Sequence, residues 1–185
     1  MPILIALSVA GGTVAFAAEA PAWQVNGTDS RIAFTATQQG GEFTGRFRRF
    51  DADVRFAADA LSQSRIVVRI DVTSLDTGST RRDRAVAGPD WFDFSQYPEA
   101  RFTSDTISRA ANGTFQANGK LTIKGTSRSV TVPLSWRREG DRASLGTHFT
   151  IDRTDFSVGE GRWATTDAVG RSVAIDATLS LRRQP

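Results

Sequence analysis

From Trp23 to Leu181 the apolar residues of this chain recur at alternate positions, a period of two that suits half-buried strands and no helix. The last run shows it most cleanly. Val173, Ile175, Ala177, Leu179 and Leu181 share one face, and Ser172, Asp176, Thr178, Ser180 and Arg182 the other. The same pattern runs through Ile32-Phe34-Ala36, Phe43-Gly45-Phe47, Val54-Phe56, Leu121-Ile123, Val130-Val132-Leu134-Trp136 and Leu145-Thr147-Phe149-Ile151. Ile66, Val68, Ile70 and Val72 also alternate, and only Val67 breaks the outer phase, which suggests a partly covered outer face. Composition agrees, because Val, Ile and Thr number 42 whereas Leu, Lys and Glu number 16. Branched side chains keep their preferred rotamers in a strand and lose freedom in a helix.

Turn signals separate these runs at Asn112-Gly113, Asn118-Gly119, Lys124-Gly125-Thr126 and Glu139-Gly140-Asp141, so successive strands are expected to be antiparallel neighbours. One stretch reads as helical. Ser79 can cap a turn or two running to Ala87, and Gly88-Pro89 stops it. Eight or nine strands and one short helix predict a closed antiparallel barrel or a two-sheet sandwich. The inward sets are rich in aromatics, with Phe at 34, 43, 47, 56, 92, 102, 115 and 149 and Trp at 91 and 136. Such density either fills a core or lines an apolar pocket.

Residues Ile3 to Ala18 form an uncharged apolar run, shorter than the roughly 20 residues a membrane helix needs. Small residues at Ala15-Phe16-Ala17 and Ala18-Glu19-Ala20 stand where a signal peptidase reads, although no Lys or Arg precedes the run. Residues 1–20 therefore read as a signal peptide and 21–185 as one domain, exported to the periplasm or secreted.

The function classes narrow quickly. No cysteine is present, which excludes disulfides, thiolate metal sites and a thiol nucleophile. A single histidine, His148, leaves little for a metal centre or a catalytic triad. Neither a nucleophile elbow nor a phosphate loop occurs, Gly159-Glu160-Gly161 lacking the downstream Lys and Ser/Thr. No catalytic or metal-binding residue is assigned, and the chain reads as a non-enzyme that needs no cofactor. The 23 cations are set against 20 anions and scattered, so no nucleic acid is expected. The clusters Arg46-Phe47-Arg48-Arg49-Phe50 and Arg81-Arg82-Asp83-Arg84 read as solvated faces.

Four stretches together resemble the YceI-like family of bacterial envelope proteins, also described as polyisoprenoid-binding and lipocalin-like. The first is Trp23-Gln24-Val25 with Ser30-Arg31-Ile32-Ala33-Phe34, Gly45-Arg46-Phe47 and Phe50. The second is Val72-Thr73-Ser74-Leu75-Asp76-Thr77-Gly78, with Arg82-Asp83, Gly88-Pro89-Asp90-Trp91-Phe92-Asp93, Tyr97-Pro98 and Arg101-Phe102. The others are Gly119-Lys120-Leu121-Thr122-Ile123-Lys124-Gly125-Thr126 and Ile151-Asp152-Arg153-Thr154-Asp155-Phe156. Two positions depart from the family pattern: Ala85 stands where many members carry His, and Ser157 where many carry Gly.

The resemblance implies an all-β, extended eight-stranded antiparallel lipocalin-like barrel with one short helix inserted near residues 79–88. It also implies an apolar tunnel holding an isoprenoid, such as a polyprenoid or a quinone, or another long-chain amphiphile, without catalysis. Candidate lining residues are Phe34, Phe43, Phe47, Val68, Trp91, Phe92, Phe102, Leu121, Ile123, Val132 and Phe149. Trp91 and Phe92 fit a lid, a pocket end or a structural plug equally well. Asp152, Arg153 and Asp155 read as an arginine–carboxylate network fastening a loop. The expected partners are a long-chain lipid or isoprenoid quinone, with transient contact to a membrane surface or a membrane cytochrome. An alternative role is an accessory or stress-related envelope protein supporting such a redox partner. A homodimer covering outer apolar positions such as Val67 is consistent with the pattern.

Overall fold

The computed structural model describes residues 19–165 and 168–185; the leader and its cleavage bonds, apart from Glu19 and Ala20, lie outside the described residues. Alternation turns into strands almost throughout. They are β1 (Ala22–Gln38), β2 (Gly41–Phe47), β3 (Phe50–Arg55), β4 (Arg65–Asp71), β5 (Leu75–Asp76), β6 (Glu99–Arg109), β7 (Phe115–Ile123), β8 (Thr126–Glu139), β9 (Arg142–Asp152) and β10 (Ser172–Arg183). One helix, α1 (Thr80–Val86), lies between β5 and β6.

These ten strands make an eight-stranded antiparallel barrel, because two wall strands are each broken in two. β2 and β3 both pair with β1, at Ile32–Gln38 and at Ala22–Trp23, and bend at Arg48 and Arg49. The bend is held from the next wall strand, where Ser74 accepts from the Arg48 N–H through its carbonyl and from the Arg49 N–H through its hydroxyl. β4 and β5 likewise pair with β3 and β2. Neighbours then follow in chain order to β10, which pairs with β1 and closes the ring. The β1–β10 pairing joins the first long strand to the last, so neither presents a long outer edge, the main hazard of an open sheet.

The helix forms where its punctuation puts it. The Ser79 hydroxyl caps the Arg82 N–H, and the chain turns away at Gly88. Lys124 and Gly125, at φ 47° and 71°, make the two-residue turn of the β7–β8 hairpin, and Gly140 and Gly113 take positive φ in theirs. Asn118-Gly119 is a different case. The pair lies inside β7, opposite an irregularity at Asp105 of β6 that brings the Thr103 carbonyl into the space a Cβ at Gly119 would fill.

Inward and outward faces follow the sequence phase, with apolar side chains inside and charges outside, the reverse of a membrane-spanning barrel. Val67 is 3% exposed within the single chain, so its apolar side chain does not call for a second copy to cover it.

One end of the barrel is solid. Trp23, Val54, Phe56, Ile107, Phe115, Leu134 and Leu181 pack there, joined by the half-buried Trp136. Phe56 meets Trp136 at 4.4 Å and stands edge-on to Phe115 at 5.2 Å, while Trp23 meets Trp136 edge-on at 5.1 Å. The Trp23 indole N–H donates to the Phe56 carbonyl at 3.0 Å, so the plug buries no orphaned donor of its own.

Candidate functional site

Above this aromatic plug the barrel is hollow. The cavity measures about 240 Å³, and its wall is apolar nearly throughout. Along β1 it runs from Ile32 to Gln38 and along β10 from Leu179 to Val173, six residue steps on each strand, or about 20 Å at 3.3 Å per residue. Since the plug closes the far end, the cavity is blind and its mouth lies beside α1.

All eleven predicted lining residues stand on this cavity. Phe34 comes from β1, Phe43 and Phe47 from β2, Val68 from β4 and Phe102 from β6. Leu121 and Ile123 come from β7, Val132 from β8 and Phe149 from β9. Trp91 and Phe92 come from the turn after α1 and line the mouth half; the plug of the barrel is the other aromatic set, around Phe56. Sequence phase alone also placed Val173 and Ile175 inside, and both line the cavity. Trp163, Val158 and Val169 do so as well, from the irregular segment before β10, where no period existed to find them.

Polar groups reach the lining at few points. At the mouth are Gln38, Thr77 and Arg82, and Arg82 stacks its guanidinium 4.4 Å from the Phe43 ring centre. Deeper, the Thr147 hydroxyl is buried without a hydrogen-bond partner, as is the Trp91 indole N–H near the mouth. His148 faces outward, 68% exposed at its side chain and 2.7 Å from Asp176, with its neighbours Thr147 and Phe149 turned inward.

The wall has a seam. The β8–β9 ladder ends at Ser135 opposite Gly146, leaving Thr126–Leu134 and Thr147–Asp152 unpaired with each other. Hydrogen-bonded pairs alternate along this hairpin, so the next one would set Pro133 against His148, and Pro133 has no N–H to donate. A proline within an alternating run, here between Val132 and Leu134, is the sequence signal that marks such an interruption. Phe156 closes the gap by packing instead of hydrogen bonding: it is fully buried against Leu121, Val130, Phe149 and Ile151.

Phe156 is placed by Arg153, whose role differs from the expected arginine–carboxylate network. Arg153 is 3% exposed, and its guanidinium donates to five backbone carbonyls, those of Val158, Gly159, Trp163, Val169 and Gly170, at 2.6–3.0 Å. Burial pushes its pKa down, and nearby Asp152 counteracts that. Asp152 binds Arg171 at 2.8 Å and the Thr154 N–H and hydroxyl, while Asp155 is exposed. Carbonyls serve here because the described part of the segment forms two short 3-10 turns, Arg153–Phe156 and Gly161–Trp163, in place of a strand or α-helix that would satisfy its backbone. Lys124 adds a clasp from the β7–β8 turn, donating to the Ser157 carbonyl at 2.8 Å and pairing with Glu160 at 2.7 Å. Ser157 itself sits at φ 55°, the left-handed conformation that a glycine adopts freely.

Among the described residues no group of three or more His, Cys, Asp or Glu side chains is arranged to hold a metal ion. What the site offers chemically is apolar surface, stacking faces and a cation at the entrance.

Comparison with known proteins places this geometry. Residues 23–181 match the model of the YceI-like domain. A UPF0312 protein of Vibrio parahaemolyticus is 32% identical over 139 residues, covering 71% of this chain and 74% of its own length. Among solved structures, BcnA of Burkholderia cenocepacia is 35% identical with a TM-score of 0.81, covering 84% of this chain and 98% of that one. A polyisoprenoid binding domain from Saccharophagus degradans shares the fold at 18% identity and a TM-score of 0.70, covering 89% of this chain and 99% of that one.

Proposed function

Because the chain belongs to the YceI-like family, we propose that it is an exported carrier that holds an isoprenoid, a polyprenoid or a quinone, or another long-chain amphiphile inside the barrel, without covalent chemistry. The observation that carries this reading is the blind apolar cavity above the Phe56 plug. A well-packed protein interior leaves few voids larger than a water molecule, and an apolar cavity of about 150 Å³ is already enough to stay dry and bind benzene. The space here is larger and long, which suits a chain better than a compact ligand. Each methylene moved from water into such a lining contributes about 0.8 kcal/mol, so a long tail binds through area alone. The solved domain from Saccharophagus degradans, described as polyisoprenoid binding, supports the same ligand class. Export, to the periplasm or beyond, is part of the proposal, and the apolar leader Ile3 to Ala18 supports it. Loading and release then require transient contact with a membrane surface.

The test is organic extraction and mass spectrometry of the protein purified from a bacterial periplasm without detergent. A stoichiometric polyprenoid, quinone or acyl lipid is expected. The Ala177→Phe variant, which fills the cavity from β10, is expected to come out empty. Wild-type protein that carries nothing and takes up no added long-chain lipid would overturn the proposal.

A further inference from the structure

The β8–β9 seam closes a stretch of the barrel wall without a backbone ladder. Each bank is fully paired on its other side, β8 with β7 from Thr126 to Leu134 and β9 with β10 from Thr147 to Asp152, so neither bank is frayed. Between the banks the ladder stops at Ser135 and Gly146. The seam lies directly on the cavity, because Val132 and Leu134 on one bank and Thr147, Phe149 and Ile151 on the other line it.

What spans the seam is side chain. Phe156, 2% exposed, lies against Val130 of β8 and against Phe149 and Ile151 of β9, and it lines the cavity itself. Lys124 reaches across from the β7–β8 turn to the Ser157 carbonyl at 2.8 Å and to Glu160 at 2.7 Å. The segment that carries Phe156 is tied to the β9–β10 bank: the Arg153 N–H donates to the Arg171 carbonyl, and the Arg153 guanidinium to those of Val169 and Gly170. That segment therefore belongs to one bank, and one ring and one ammonium group fasten it to the other. Opening the seam breaks no ladder bond, and stretches with few backbone bonds open most readily.

The mouth is held more firmly. There the Asp90 carbonyl accepts from the Gly159 and Glu160 N–H groups at 2.8 and 2.7 Å, and the Gln39 N–H donates to the Ala168 carbonyl at 3.0 Å. Arg82 adds a polar bridge between Gln38 and Thr77. A tail threading the mouth must draw its whole length past these polar groups, whereas a tail moving sideways slips between Val130, Val132, Phe149 and Phe156.

We propose that the seam is a lateral portal: the tail of the bound amphiphile enters and leaves the chamber sideways between β8 and β9, with Phe156 as the door and Lys124 as its latch. The inference rests on the carrier reading above and adds the route. A slot between two strands suits a slender, flexible tail and excludes a rigid fused-ring body, while the size of the head is left free.

The experiment is stopped-flow fluorescence on the delipidated full-length mature protein with two probes, all-trans-retinol and cis-parinaric acid. The chain has no cysteine, and Thr131 and Thr150 are exposed and stand opposite each other when the ladder register is continued. Thr131→Cys and Thr150→Cys can therefore be joined across the seam by a bismaleimide. The bridge is expected to slow uptake and release about tenfold or more, relative to the same double variant capped with N-ethylmaleimide. Lys124→Met is expected to speed both rates about threefold or more while their ratio holds, and Phe156→Ala to speed release further. Rates that ignore the bridge overturn the inference, since the tail then passes through the mouth, and leave the carrier reading standing. Failure of both probes to bind the unmodified protein overturns both.

Discussion

Phe34 in β1 faces Gly45 in β2 across the strand pair, and its ring occupies the volume that a Cβ at Gly45 would need. The ring also meets Phe47 at 5.7 Å and Phe43 at 6.2 Å, so one glycine lets three phenylalanines share a patch of cavity wall. Any side chain at position 45 must push Phe34 off its rotamer or inward. Gly45→Val is expected to cost about 1–3 kcal/mol, the range for overpacking, and to reduce ligand capacity together with stability. Denaturant midpoints and lipid stoichiometry of the same preparation check both halves.

The plug and the chamber separate by mutation. Phe56 touches Phe115 and Trp136 and does not line the cavity, so Phe56→Ala is expected to cost about 3–5 kcal/mol. Replacing Phe102 by Leu, on the cavity wall, is expected to cost less and to change ligand affinity more. Urea unfolding combined with lipid titration gives the two orderings, and the assignment fails if they coincide.

The β8–β9 seam predicts a pattern of amide protection. Amides of β9 alternate between its two neighbours, and the Arg153 N–H that bonds Arg171 sets the odd-numbered ones toward β10. Thr150 therefore points its N–H at the unpaired part of β8. Hydrogen exchange at Thr150 is expected to be much faster than at Phe149 or Ile151, with Ser144, inside the ladder, protected. Equal protection at Thr150 and Ser144 would mean that the seam is closed by backbone bonds.

Arg153 fastens the segment that carries Phe156. Arg153→Met removes donors from five carbonyls, each worth about 1–3 kcal/mol when left buried and unmet, so a loss of at least about 3 kcal/mol is expected. Arg153→Lys is expected to restore little, because three donors on one nitrogen cannot span carbonyls arranged around a planar fork. Limited proteolysis reads the local effect as cleavage within 154–165 at a protease level that spares the wild type.

Acid weakens the same region. Desolvation acts to raise the Asp152 pKa, but the Thr154 hydroxyl and N–H and the Arg171 guanidinium outweigh it and hold it below the ordinary aspartate value. Lys124 does the same for Glu160, the Thr73 hydroxyl for Asp71 and the Gly78 N–H with Arg48 for Asp76. A carboxyl with a lowered folded pKa binds fewer protons folded than unfolded as pH falls below about 4, so acid favours the unfolded chain. Its contribution is full above that pH and lost as pH falls through the folded value. Denaturant midpoints are expected to be flat from pH 8 to pH 5 and to drop below pH 4, with part of the drop absent in Asp152→Asn.

Much of this protein was legible in its residue order. Period-two patterning named most of the strands and their inward faces, though not β6 or the first half of β7, because each strand is buried on one side and a one-residue slip would expose its whole apolar set. Ser79 and Gly88 bounded the helix, since capping and chain reversal are local events. The sequence alone left Phe56, Phe115 and Trp136 indistinguishable from Phe34, Phe102 and Phe149, as all six are aromatics of the apolar, inward sets. Only tertiary structure divided them, because whether an inward ring meets other rings or empty space depends on its height in the barrel, which the register around the closed ring sets. The seam needed both levels: Pro133 removes one donor locally, but the consequence appears only once β9 lies beside it and Phe156, more than twenty residues away, fills the gap. Asn118-Gly119 read as a turn because its chemistry is that of a turn, and it became part of a strand because the Thr103 carbonyl across the sheet requires the missing Cβ. Arg153 and Arg82 show the limit most clearly. Both are arginines in mixed-charge stretches, and only the chain around them makes one a buried knot of carbonyls and the other a cation at the mouth of an apolar chamber.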